Sequence, residues 1–229
     1  MNKEDNLKEK FKQALISTVK VISEDYNLEK EVNNNKSSKN YNFFELDNLN
    51  TKEDYIKLRA ETDSEALKRK FSNKSIYQKN LPSKSTCRLL YDLSEKIRYE
   101  ILGTKMLKGI SKNLKDNYSN KIALKRKDQL KSKEDVQIAE AFELYMLKNF
   151  LDIKLNSLSE KILSYWEKDF KLSFEEHLPY LNKNIENQEI FNSKFSEILQ
   201  KMEVFDSDNE DEKQENKENE NLNDENNKQ

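Results

Sequence analysis

The chain has 229 residues, a formal net charge of −2, 34% hydrophobic residues, two glycines, two prolines and one cysteine. So few turn formers exclude a β-sandwich or a doubly wound α/β fold, and a single cysteine excludes an internal disulfide. No run of about 18 apolar residues exists to cross a membrane, and the N-terminus lacks the basic-then-apolar order of a secretion signal, so the expectation is a cytoplasmic protein without a membrane partner.

Residues 5–24 read as a helix, with Leu7, Phe11, Leu15, Val19 and Ile22 forming one apolar stripe. The pattern breaks from Tyr26 to Asn50, where Lys30–Asn40 is a polar loop. Tyr41–Leu49 could pair with Asn27–Val32 as a small β-hairpin within 27–49. Thr51 followed by Asp54 is an N-cap with an acid three residues on, and opens a helix through about Asn73. Tyr55, Leu58, Thr62, Ala66 and Arg69 share its face, which is only half apolar.

Pro82, Ser83 and Ser85 announce the next start, and Arg88–Leu114 is the longest uninterrupted helical pattern. Leu90, Leu93, Ile97 and Ile101 mark its buried face, with Arg88, Glu95, Arg98 and Glu100 on or beside it. Both glycines, Gly103 and Gly109, lie here. Glycine costs about 1 kcal/mol in a helix interior. Their presence therefore predicts either close backbone approach or a break.

Asn117–Lys133 reads as a basic connector, carrying Lys121, Lys125, Arg126, Lys127, Lys131 and Lys133. Ser132 with Asp135 caps a helix whose core face is Val136, Ala139, Phe142, Met146 and Phe150. Ser157 opens another, with Leu158, Ile162, Trp166 and Phe170 in line. Pro179 ends or kinks the helical pattern near it, and the last ordered element runs from about Glu186 to Met202. The sum is an all-α bundle of about six helices over residues 1–205, followed by a disordered acidic tail over 206–229. That tail holds ten acids against three lysines, a net of −7, which leaves the preceding 205 residues at +5.

Several chemistries are absent from the sequence. One histidine and one cysteine preclude a His-rich metal site or a zinc ribbon, and there is no Walker A, GxGxxG or GxSxG run. His177 reads as a half-buried or surface residue near a helix end, and Cys87 as a small packed residue. Trp166 reads as core packing. Glu95, Arg98 and Glu100 admit two readings. They could be catalytic carboxylates with a substrate-holding arginine, or an Arg98–Glu95 pair at i,i+3 beside an Arg88–Asp92 pair at i,i+4. Residue types favour the structural reading, with no catalytic or metal-ligating residue assigned. The basic stretch reads as a solvated loop or helix face in preference to a nucleic-acid surface, because it lacks aromatic interleaving. By its residues alone the chain is a helical interaction module without a self-contained active site.

The central stretch carries a resemblance. Arg88-x-x-Tyr-Asp-x-x-Glu95-x-x-Arg98-x-Glu100-x-x-Gly103, followed by Gly109-x-x-x-Asn113-Leu114, is similar to the N-terminal region of the CobT-type subunit of aerobic cobaltochelatase. Upstream, Arg59-x-x-x-Asp63-Ser64-x-Ala66-Leu67 resembles that family's Arg-Gly-x-x-Asp-x-x-Ala-Leu segment, with Ala60 in place of the glycine. Downstream, Ala139–Leu151, Leu163–Lys168 and Asn187-Gln188 resemble later family segments, and the acidic stretch from Asp206 resembles the family's acidic linker. The departures are a missing histidine in Arg69–Asn73, Leu107 where the family has a methionine, and no C-terminal von Willebrand A-type domain.

The resemblance implies a non-catalytic scaffold or accessory subunit of an ATP-dependent cobaltochelatase, which inserts cobalt into hydrogenobyrinic acid a,c-diamide during cobalamin biosynthesis. Its implied partners are a CobS-type AAA+ ATPase, a large CobN-type chelatase subunit and a separate von Willebrand A-domain protein, in a ring-shaped oligomeric assembly. ATP, Mg and cobalt would belong to the complex, and none would be bound by this chain. Arg59, Asp63, Arg88, Glu95, Arg98, Glu100, Gly103, Gly109 and Asn113 are then expected as a structural network that holds the central helix against Arg59–Leu67. Two alternatives stand beside it: a co-chaperone of an AAA+ protein unconnected with cobalamin, and a basic helical nucleic-acid-binding protein with an acidic tail.

Overall fold

The computed structural model describes residues 3–26, 49–123 and 132–202. Among these every regular element is helical. The expected hairpin over 27–49, most of the basic residues of 117–133 and the acidic tail lie almost entirely outside the described residues.

The first helix, α1 (Lys3–Ser23), buries Leu15, Val19 and Ile22 as the stripe requires, while Leu7 stays exposed. α2 (Lys52–Phe71) starts at the expected cap. Thr51 accepts from the Asp54 backbone N–H, and the Asp54 carboxylate accepts from the Thr51 N–H. Its burial is wider than one face, since Leu58, Ala60, Thr62, Asp63, Ser64, Ala66 and Leu67 are all buried. The reason is its neighbours: α1, α4 and α5 all pack on it. A short α3 (Lys74–Lys79) follows, capped by the Asn73 side chain.

The long central pattern is two helices. α4 (Ser85–Met106) ends at Leu107, which is extended (φ −140°, ψ 125°), and α5 (Lys108–Ala123) starts at once. A single extended residue thus makes the corner, and the long helical pattern breaks between Gly103 and Gly109, one of the two outcomes expected from the glycines. The two glycines differ. A Cβ on Gly103 would lie within 3.0 Å of the Leu67 side chain, so this glycine permits the α2–α4 approach. A Cβ on Gly109 would meet nothing within 4 Å.

The basic stretch begins inside α5, which buries Tyr118 and Ile122. Ser132 and Asp135 do bond to each other, but they close a turn and not a helix start. α6 (Ile138–Phe150) begins later, because Val136 turns inward and its carbonyl accepts from Trp166 Nε1 at 3.2 Å. The same bond holds Trp166 outside helical geometry (φ −120°, ψ −7°) and divides the expected single helix into α7 (Ser157–Ser164) and α8 (Glu167–Phe174). A 3₁₀ turn at Glu175–His177 leads to α9 (Leu178–Lys183), where Pro179 occupies the first turn and so starts a helix. α10 (Gln188–Gln200) is capped by Asn187.

α4 is the axis. It packs on α2 and α5 along one side and on α6 and α10 along the other. The α6–α10 side is filled by aromatics, with Phe142 in contact with Phe170, Phe174 and Phe195 at ring-centroid distances of 5.4–6.1 Å. No described helix is long and apolar enough to cross a membrane.

Candidate functional site

Because α4 is enclosed on both sides, Glu95, Arg98 and Glu100 are buried, and each finds a partner inside. Arg98 is among the largest fully buried side chains. Its guanidinium is bidentate on Glu95, through Nε to Oε2 at 2.7 Å and Nη2 to Oε1 at 3.0 Å. The remaining donors reach the Phe71 carbonyl at 2.5 Å and the Ile185 carbonyl at 3.1 Å. Phe71 is the last residue of α2, so Arg98 satisfies one of the carbonyls that a helix end leaves open. Glu95 Oε1 also accepts from Ser72 Oγ at 2.6 Å and Gln188 Nε2 at 3.0 Å. Gln188 completes the clasp by accepting from the Asn73 N–H at 2.7 Å and donating to the Asn73 carbonyl at 3.2 Å. One ion pair thereby binds three separate segments: α4, the α2–α3 junction and the start of α10.

Glu100 belongs to a second group one turn along. It accepts from Ser64 Oγ and from Tyr118 OH, both at 2.6 Å, and Lys96 Nζ lies 4.0 Å away. Burial pushes its carboxyl above the ordinary range, against the lowering effect of Lys96, Ser64 and Tyr118. The same neighbourhood pushes the Tyr118 hydroxyl well up, first through burial and then through the Glu100 charge. Beside this group Lys121 pairs with Glu143 at 2.6 Å.

A third group joins α2 to α5. Asp63 is buried, its Oδ2 accepts from Asn113 Nδ2 at 2.7 Å, and Arg59 Nε lies 3.4 Å from Oδ1. Burial again raises the carboxyl, opposed by Asn113 and Arg59.

The structure therefore brings together seven of the nine pattern residues in or against the α2–α4–α5 packing: Arg59, Asp63, Asn113, Glu95, Arg98, Glu100 and Gly103. Arg88 and Gly109 stand apart. Arg88 is exposed and donates to the Pro82 carbonyl at 2.9 Å, while Asp92 accepts from the Tyr77 hydroxyl, so the anticipated Arg88–Asp92 pair gives way to other partners. The network is also not one unit against Arg59–Leu67. Glu95 and Arg98 hold the end of α2 and the start of α10, and only Glu100 and Asp63 act on the middle of α2.

Four partners were not legible as network members. Ser72 and Tyr118 carry no signal in the sequence that points to the network, and Ser64 and Gln188 stand there only within segments similar to the family's. The one available sign was a glutamine at the head of an otherwise apolar helix face. Cys87 is buried with its Sγ 3.5 Å from the Leu199 carbonyl. Trp166 packs against Phe170, with Lys133 Nζ 4.0 Å from its ring centroid.

Among the described residues no three His, Cys, Asp or Glu side chains converge as a metal-binding group. The carboxylates of α4 fit helix registration better than ligand binding, since their oxygens already accept from protein donors. A family model described as "Cobalamin biosynthesis protein CobT" matches residues 5–229. No solved structure matches the chain.

Proposed function

Since the chain belongs to the cobalamin biosynthesis protein CobT family, we propose that it is a scaffold subunit of an ATP-dependent cobaltochelatase, working beside a CobS-type AAA+ ATPase and a large CobN-type chelatase subunit. The observation that carries this reading is the direction of the charged side chains of α4. Glu95, Arg98 and Glu100 are buried and bonded to α2, α5 and α10. Such an arrangement makes a rigid block for others to bind, with the polar atoms of these groups already taken by protein partners. On this reading ATP and Mg act on the ATPase, and cobalt and the tetrapyrrole are substrates held by the large subunit. This chain supplies shape and surface, within a ring-shaped assembly and together with a protein carrying a von Willebrand A-type domain.

Co-purification of the full chain with the AAA+ protein, with and without ATP, tests the reading. ATP-dependent association is the expected result, and no association in either state, with a von Willebrand A partner also present, would sink it. Cobalt insertion by the reconstituted mixture then separates the chelatase role from that of a co-chaperone. Association without any stimulation of insertion would assign the chain to another AAA+ client.

A further inference from the structure

A groove of ≈ 630 Å³ runs along the outer side of the network, between the end of α2, α3 and the first half of α4. Its lining includes Tyr77, Leu89, Leu93 and Tyr99, and Leu89 is 51% exposed. Lys68, Lys74 and Lys96 also line it. Lys68 and Lys74 are exposed and make no ion pair among the described residues. Two carboxylates reach the groove, and both are engaged: Glu95 by Arg98 and Asp92 by the Tyr77 hydroxyl. With Arg98 offsetting Glu95, three lysines stand against the one remaining carboxylate, Asp92, and the groove is apolar in part and positive at its edge.

The lysines of the basic stretch differ. Lys121 is paired with Glu143, and Lys133 with Asp169. Among the described residues, Lys68 and Lys74 line the groove without a carboxylate, Lys96 lies 4.0 Å from Glu100, and Lys121 and Lys133 of the basic stretch are paired.

This chain contains a segment of matching chemistry. Val204 and Phe205 are followed by Asp206, Asp208, Glu210, Asp211 and Glu212, within a run of net charge −7. Its starting point is close by. The Leu199 carbonyl lies 3.5 Å from Cys87 Sγ, so the last described residues leave α10 beside the first turn of α4. Leu89 lies two residues beyond Cys87, about 200° around that helix, so the segment has to pass over the first turn of α4 to enter the groove. At about 3.3 Å per extended residue, the run of acids from Asp206 onward is long enough to pass around α4 to the lysines.

We propose that the acidic segment 206–229 docks on the groove of α2, α3 and α4 in the same molecule, with its acids on Lys68, Lys74 and Lys96. A segment tethered this closely acts at an effective concentration on the order of millimolar, so any external acidic segment has to displace it. The assignment stands on the groove and the charge pattern and does not depend on the chelatase reading.

Carbodiimide cross-linking of the full chain at low concentration, with the monomer band mapped by mass spectrometry, tests it. The tail should join Lys68, Lys74 and Lys96 about fivefold or more above the exposed Lys105 and Lys108, and about 0.5 M salt should remove that preference. In the Lys68→Gln/Lys74→Gln variant, the yield at Lys96 should fall about fivefold with an unchanged melting midpoint, because two of the three attractive charges are gone. Equal yields at all exposed lysines overturn the proposal. So do capture on Lys125, Lys127 and Lys131, cross-links confined to a dimer band, and an unaltered Lys96 yield in the variant.

Discussion

The two sides of α4 are built on different physical principles. Toward α6–α10 the contacts are rings: Phe142, Tyr145, Phe170, Phe174, Phe191 and Phe195 are all buried. Burial of area is non-directional, and such a core accepts side chains of similar volume. Toward α2 and α5 a smaller apolar cluster that includes Ala66, Leu67, Tyr99, Ile110 and Leu114 is interleaved with hydrogen bonds and ion pairs around Glu95, Arg98, Glu100 and Asp63. These polar contacts contribute little net stability when complete and cost much when one partner is lost. The first side holds the fold together. The second fixes which turn of α4 meets which turn of its neighbours.

Two truncations test that contrast at the largest scale. Phe142→Ala should lower unfolding stability by about 3–5 kcal/mol in urea titration, and Phe142→Leu by much less. Arg98→Ala should cost a similar ~3–5 kcal/mol, because it strands the Glu95 carboxylate and the Phe71 and Ile185 carbonyls. Here, unlike at Phe142, the conservative Arg98→Lys should rescue little, since an ammonium cannot reproduce the planar fork. A loss under about 0.5 kcal/mol for Arg98→Ala would place the network at the surface and end the contrast.

Next in size is Gly103→Ala. Its new methyl would overlap the fully buried Leu67 side chain. The expected cost is about 1–3 kcal/mol, and a Leu67→Ala background should reduce the increment. A neutral result would show that α2 can slide.

Glu100 gives a pH signature that the aromatic side cannot. Its folded-state value is raised by burial. The folded protein therefore keeps a proton that the unfolded chain releases above pH ~4.3. The stability from that proton is complete below ~4.3 and is lost as pH rises through the folded-state value. Asp63 shifts in the same direction. Glu100→Gln should flatten the decline measured by denaturation at successive pH values, leaving only the Asp63 share. Parallel curves for wild type and variant would show that Glu100 titrates as an exposed acid does.

The smallest effect has the opposite sign. Gly109→Ala places a methyl in open space within α5. It should raise the stability by about 0.4–1 kcal/mol, which differential scanning calorimetry can resolve. A loss instead would mean that another surface closes on this position.

Much of the helical content was legible. The apolar spacing of α1, the Thr51–Asp54 cap and the Phe191–Phe195–Leu199 face of α10 are local facts, and local periodicity reports them directly. The resemblance carried in Arg88–Leu114 was legible too, and the family match over residues 5–229 agrees with it. The structure departs from local periodicity at a few points, and only some of these depend on distant contacts. Leu107 interrupts the central pattern although no proline marks it. Trp166 divides one expected helix because its indole N–H finds the Val136 carbonyl, 30 residues away in the chain. Ser132 and Asp135 make a sound capping pair and then serve a turn.

By itself the sequence determined the all-helical class, the positions of most helices and the set of charged residues attached to the central one, because spacing and turn chemistry act within a few residues. Only the tertiary structure decided what those charges do. Whether Glu95, Arg98 and Glu100 face a substrate or one another depends on which segments enclose α4. That was settled by Gly103 admitting α2 and by Gln188 and Ser72 arriving from elsewhere in the chain. No periodicity records such meetings, since each joins residues too far apart for one helix to place them.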